Sequence, residues 1–125
     1  MARVMVIEDE ALLVASYERA LRRGQHTVIP VHEGAQAVAR ARAERPDLIL
    51  LDLGVPDLDP LGFIQAVKED AATAAIPIIV VSGMTLDRQV LARLDPGWVE
   101  DVWLKPVRME RLLQRANAVT GTSTR

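Results

Sequence analysis

The sequence predicts an α/β domain built as a doubly wound, five-stranded parallel sheet flanked by five helices. Two observations carry this. Short, β-branched apolar runs alternate five times with stretches of helical spacing, the pattern of repeated strand–helix units. The runs themselves lack polar alternation, so both faces of each strand must be covered.

The first strand is expected in "VMVIE" (4–8). Residues 10–23 follow as a helix, with Leu13, Tyr17, Ala20 and Leu21 at helical spacing and Gly24 placed as its C-cap. "HTVIPV" (26–31) is the second strand. Its Pro30 cannot donate a ladder bond, which puts it at a sheet edge or a strand end. "GAQAVARARAER" (34–45) is a helix with Ala37, Val38 and Ala41 facing inward, stopped by Pro46. "DLILL" (47–51) is the most apolar strand and is expected at the centre. "PLGFIQAVKED" (60–70) is a helix with Pro in its first turn and Phe63, Ile64 and Val67 toward the core. "IPIIVV" (76–81), "LDRQVLARL" (86–94), "EDVWL" (100–104) and "RMERLLQRANAV" (108–119) complete the alternation. One domain is expected over residues 1–120, followed by a small polar tail, 121–125, that frays.

Composition excludes several classes of function. A net charge of −2 gives no bulk attraction to nucleic acid or membranes, and the basic residues are spread over several helices. With no Cys there is no disulfide framework, thiol chemistry or zinc-knuckle spacing. The N-terminal apolar run is short and meets Glu8, Asp9 and Glu10, unlike a signal peptide. No apolar stretch approaches the roughly 18 residues of a membrane span. A cytoplasmic protein with neither nucleic-acid nor membrane partners is expected.

Ligands of parallel α/β sheets bind beyond the C-terminal ends of the strands. The polar residues at those ends are few: Glu8, Asp9 and Glu10 after the first strand, His32 and Glu33 after the second, then Asp52, Ser82 and Lys105. A lone Asp after an apolar run is ordinarily a turn former. Carboxylates held close, however, demand a cation or a raised pKa. Mg²⁺ suits such oxygen donors, Lys neutralises added negative charge, and a hydroxyl can donate to a phosphoryl oxygen. These are the parts phosphoryl transfer uses, and an Asp among them can accept the group as an acyl phosphate.

Along about residues 2–119 the chain resembles the receiver domain of two-component response regulators. "VMVIEDE" is similar to the family's first strand with its acidic pair. "LILLDLGVPDLD" is similar to the phosphoacceptor strand and following loop, "PIIVVSG" to the strand ending in the switch Ser/Thr, and "VWLKP" to the strand ending in Lys-Pro. The resemblance implies a flavodoxin-like fold with strand order 2-1-3-4-5 and a phosphorylation-controlled signalling switch rather than an enzyme. Such a domain catalyses only its own phosphorylation and dephosphorylation. It implies Asp52 as phosphoacceptor, and Mg²⁺ held by Asp9 directly, by Glu8 through water, by Asp52 and by the Gly54 carbonyl. Ser82 and Lys105 would answer the phosphoryl group, and the bond before Pro106 would be cis. Gly54 and Met84 occupy the positions that tune lifetime, and neither can orient a water, so a long-lived phosphoryl group is expected. The implied partners are a sensor histidine kinase or histidine phosphotransfer protein and a downstream protein target. A homodimer through helix 4, strand 5 and helix 5 is also expected, pairing Asp101 with Arg111 or Arg115. No DNA-binding or enzymatic output is expected beyond the receiver.

Three features depart from the family pattern. Pro60 replaces the usual Gly eight residues after the acceptor, so the loop differs there or the third helix starts earlier. Val102 replaces the aromatic residue that rotates with the switch, and Trp103 is expected on the opposite face. "LDPGWVED" is about one residue longer than the family usually has, predicting an irregular loop before the fifth strand. A degenerate receiver acting as a constitutive interaction module would lack a site residue, and all are present. An aspartyl-nucleophile phosphatase of the haloacid dehalogenase type wants a second Asp where Gly54 stands. His26 and His32 are expected at the surface, and Trp98 and Trp103 in packing or a partner surface. Arg108, Arg111 and Arg115 share a helix face that is either solvated or an interaction face.

Overall fold

The computed structural model describes residues 1–83 and 87–119. Five parallel strands, β1 (Arg3–Ile7), β2 (Thr27–Val31), β3 (Leu48–Asp52), β4 (Ile78–Ser82) and β5 (Asp101–Leu104), form one sheet in the order β2-β1-β3-β4-β5. The helices between them are α1 (Ala11–Arg22), α2 (Ala37–Glu44), α3 (Pro60–Glu69), α4 (Arg88–Ala92) and α5 (Met109–Val119). A 3₁₀ turn, Gly34–Gln36, precedes α2, where the sequence predicted one continuous helix. The expected 86–94 helix is likewise reduced to α4 within the described residues, and residues 93–100 form the irregular loop expected there. The polar tail and Met84 lie outside the described residues. No described helix is long and apolar enough to cross a membrane.

Strand side chains alternate between faces, and this splits the apolar runs between two cores. Met5, Ile7, Ile49, Leu51, Ile78 and Val80 pack against Ala37, Ala41, Phe63, Ile64 and Val67 of α2 and α3. The intervening Val4, Val6, Leu48, Leu50, Ile79 and Val81 pack with Trp103 against Val14, Tyr17 and Leu21 of α1 and Leu112 and Ala116 of α5. Every residue of β3 and β4 is therefore buried, which is why those segments carry no polar alternation. Pro30 sits on β2, an edge strand paired only with β1, where its missing N–H costs no ladder bond.

Two expectations are corrected. His26 is buried rather than superficial, at 4 % exposure. Its Nδ1 accepts the Ala2 N–H at 2.7 Å and its Nε2 meets Asn117 Oδ1 at 2.6 Å. An accepting Nδ1 leaves the proton on Nε2, so the ring is the tautomer that donates to Asn117. It ties the chain start to α5. Gly24 is not the helix cap: Arg23 is, in right-handed geometry, and the left-handed residue is Gln25 at φ 64°. Gly24 is instead required by close approach, since a Cβ there would lie 2.8 Å from the His26 ring and from Leu113 Cδ1.

Replacing His26 with Ala removes both bonds and leaves a void. His26→Ala is expected to cost about 2–4 kcal/mol in urea unfolding. An unchanged urea midpoint would show that the ring carries none of this.

Candidate functional site

The ladder brings four strand ends together. The Glu8 N–H extends β1 by donating to the Val31 carbonyl at 3.0 Å. Asp52, the last residue of β3, stands beside Val81 of β4, and Ser82 is the next residue of that strand. The Lys105 N–H donates to the Ser82 carbonyl at 2.9 Å, so the register carries Lys105 to the same rim. The Lys105–Pro106 peptide is cis.

Glu8, Asp52 and Ser82 are buried, at 3 %, 3 % and 0 % exposure, while Asp9 and Gly54 are exposed nearby at the ends of β1 and β3. Asp52 Oδ1 accepts the Gly54 N–H at 2.6 Å. The Lys105 ammonium lies 2.5 Å from Asp52 Oδ2 and 3.6 Å from Glu8 Oε1. One cation thus faces two buried carboxyls, whose oxygens Glu8 Oε1 and Asp52 Oδ2 have, among the described residues, no donor beyond Lys105 and a proton held between the two carboxyls themselves. The pair settles by keeping a proton on Glu8. Burial, then the hydrogen bond and charge of Asp52, push the Glu8 carboxyl up to about 8. Burial also opposes ionisation of Asp52, but hydrogen bonds from Glu8, Lys105 and the Gly54 amide outweigh it and hold Asp52 below the usual carboxylate range. The result is an ionised, buried carboxylate beside an ammonium, the form a nucleophile requires.

The same arrangement tests whether Mg²⁺ fits. Among the described residues no three His, Cys, Asp or Glu side chains form a cluster able to hold a metal. The donors are instead two buried carboxyl groups with under-satisfied oxygens, and Mg²⁺ takes one or two carboxylates and keeps several waters. That donor set fits a small hard cation.

The loop after β3 is held by residues the sequence reading did not single out. Asp57 accepts the Gly34 N–H at 2.8 Å and the Ala35 N–H at 3.3 Å, fastening the loop to the 3₁₀ turn before α2. Those amides hold the Asp57 carboxyl below its ordinary pKa. Gly34 must lack a side chain, since a Cβ would lie 2.7 Å from the Leu58 backbone. Asp59 caps α3 by accepting the Gly62 N–H at 3.2 Å, and Pro60 takes the first helical position, where no N–H is needed. Pro60 thus begins α3 as its first-turn placement predicted. Asp87 was missed as well. The Ser82 hydroxyl donates to its Oδ2 at 2.9 Å, a contact hinted at only by an acid five residues past a Ser.

Val102 is 38 % exposed and Trp103 is buried among the α1 and α5 residues, on opposite faces as expected. Trp103 Nε1 donates to Asp101 Oδ2 at 2.9 Å, and the Arg111 guanidinium lies 4.6 Å from the Trp103 ring centroid. Arg111 and Arg115 pair with the same Asp101 oxygen at 3.3 and 3.4 Å. Trp98 packs, partly buried, on the α2–α3 core. His32 is exposed, with Nδ1 3.2 Å from the Glu8 carbonyl.

Comparison with known proteins agrees with this geometry. A family model described as Response regulator receiver domain matches residues 4–117. Protein PilH of Pseudomonas aeruginosa is 33% identical over 124 residues, covering 95% of this chain and 98% of PilH. The transcriptional regulatory protein PrrA of Mycobacterium tuberculosis is 32% identical over 94% of this chain, which spans only 49% of PrrA. Among solved structures, the receiver domain of the sensor histidine kinase PA1611 from Pseudomonas aeruginosa superposes with a TM-score of 0.81 and 25% identity. That match covers 96% of this chain and 98% of that one, whose active-site cleft coordinates a magnesium ion.

The proton on Glu8 has a consequence for stability. In the unfolded chain Glu ionises near pH 4.3, whereas in the fold Glu8 holds its proton to about 8. Between those values folding takes up a proton, so stability falls as pH rises across the window. Without divalent cations, Glu8→Gln is expected to lose less stability than the wild type between pH 5 and pH 8.5, measured by urea midpoints. Parallel losses in both proteins would overturn the assignment.

Proposed function

Since the chain belongs to the response regulator receiver domain family, we propose that it is a phosphorylation-controlled switch whose phosphoacceptor is Asp52. The observation that carries this reading is the buried Asp52 carboxylate, ionised beside Lys105 while Glu8 keeps a proton. Asp52 attacks the phosphorus of a phosphohistidine on a sensor kinase or phosphotransfer protein. A P–O bond forms, the P–N bond breaks, and the imidazole leaves with the electron pair. Asp9, Glu8 through water, Asp52 and the Gly54 carbonyl would hold Mg²⁺. Bound there, the ion supplies neutralisation of negative charge on phosphoryl and carboxylate oxygens.

The acyl phosphate brings about −1.5 to −2 charge and three strong acceptors into the site. Lys105 pairs with it, and the Ser82 hydroxyl donates to it. A switch from mostly off to mostly on needs about 5.5 kcal/mol of differential stabilisation. The changed surface, α4, β5 and α5, is read by a downstream protein.

Incubation with acetyl phosphate and Mg²⁺ should add the mass of one phosphoryl group to the wild type and none to Asp52→Asn. After removal of the donor, the adduct is expected to decay slowly, because Gly54 offers no side chain to steer water, and faster in Gly54→Asn. Equal labelling of Asp52→Asn would move the acceptor elsewhere, and equal decay would remove Gly54 from lifetime control. A homodimer through α4, β5 and α5 is proposed too. Asp101 already holds Arg111 and Arg115 within its own chain, so dimerisation would exchange partners rather than add them. Sedimentation of the phosphorylated protein should show weaker association for Arg115→Glu, and an unchanged constant would exclude this contact.

A further inference from the structure

The Ser82 hydroxyl is already engaged. It donates to Asp87 Oδ2 at 2.9 Å, and the Gly83 N–H donates to the same oxygen at 3.1 Å. A hydroxyl has one proton to donate, so Ser82 serves either the Asp87 carboxylate or a phosphoryl oxygen, never both. Hydrogen bonds to a charged acceptor are about twice as strong as neutral ones, which makes Asp87 a serious competitor.

Asp87 also occupies a particular place in the chain. It directly precedes α4, yet its carboxylate makes no capping bond to that helix. α4 buries none of its own residues, and among its side chains Leu91 packs only partly against the α2–α3 core, as does Leu94 just beyond the helix. Among the described residues, the Ser82 and Gly83 bonds to Asp87 join the end of β4 to the start of α4.

We propose that Asp87 is an internal anionic latch that occupies the Ser82 hydroxyl and the Gly83 amide until phosphorylation displaces it, so that the signal leaves the site through the start of α4. The proposal rests on the reading that Ser82 answers a phosphoryl group on Asp52. It gives the switch a route that does not use residue 102, where the small, exposed Val102 has no ring to rotate inward. Negative charge arriving at Asp52 weakens the hold of the Asp87 carboxylate, and Ser82 exchanges one anionic acceptor for another. The helix start, released from the strand, is then free to move.

The test uses the full chain and beryllofluoride with Mg²⁺ as the phosphoryl mimic. Asp87→Ala should lower the half-saturating concentration on the order of tenfold, the scale of one charge-assisted hydrogen bond. Asp87→Asn, which keeps an acceptor oxygen without the charge, should fall between the two. In a Ser82→Ala background most of the gain from Asp87→Ala should vanish, because no hydroxyl remains to be released. Hydrogen exchange of the amides in 87–94 should already be faster in mimic-free Asp87→Ala, at the level the wild type reaches with beryllofluoride. A residue with a merely structural role would weaken mimic binding rather than strengthen it. Coincident titrations and unchanged α4 exchange in a wild type that accepts phosphoryl from acetyl phosphate overturn the latch alone. A wild type that gains no phosphoryl mass overturns the latch together with the reading beneath it.

Discussion

A buried carboxylate held ionised is the constraint around which this molecule is arranged. Asp52 sits at 3 % exposure with a second carboxyl, Glu8, beside it, and removing such groups from water penalises their charged forms. Only the convergence of Lys105, the Gly54 amide and a proton kept on Glu8 makes the arrangement tenable. Each comes from a different stretch of chain, so the sheet must be in register before the charges can be reconciled. The apolar content of β3 and β4 is the counterpart. Strands covered on both faces order strongly, and their ends then deliver polar groups to one rim.

The surrounding loops are built to keep that rim still. Asp57 ties the loop after β3 to the turn before α2 through two amides. Asp59 and Pro60 together start α3 cleanly, one accepting a free helix N–H and the other needing none. Pro60 is therefore compatible with the site although the family usually places Gly there. The opposite end of the domain is closed by the neutral His26 ring, which fastens the first residues to α5.

The β4–α4 side is built differently. α4 has five residues and no buried side chain, and β5 presents Val102 and Leu104 to solvent at 38 % and 69 % exposure. Local stability follows buried apolar contact, so this is where a small change in hydrogen bonding moves structure most readily. Trp103 remains fixed in the other core, gripped by Asp101 and covered by Arg111. The rigid and yielding faces of β5 thus lie back to back on alternate residues.

Much of this was legible in the sequence because it depends on local chemistry. Unbroken apolar runs specify strands covered on both faces, Pro30 an edge or a strand end, Pro60 a helix start, and the residues ending each run specify the rim that holds Glu8, Asp52, Ser82 and Lys105. What the sequence could not convey were contacts between residues distant along the chain. His26 looks like a surface histidine until Ala2 and Asn117, 24 and 91 residues away, close on it. Gly24 looks like a cap until His26 and Leu113 crowd it. The burial of Glu8 beside an exposed Asp9, and the capture of Ser82 by Asp87, likewise depend on how strand ends and helix starts pack. Periodicity determines which elements form and which face they bury. The partner of a polar side chain is decided only when packing brings the two together and removes the water that would otherwise satisfy each.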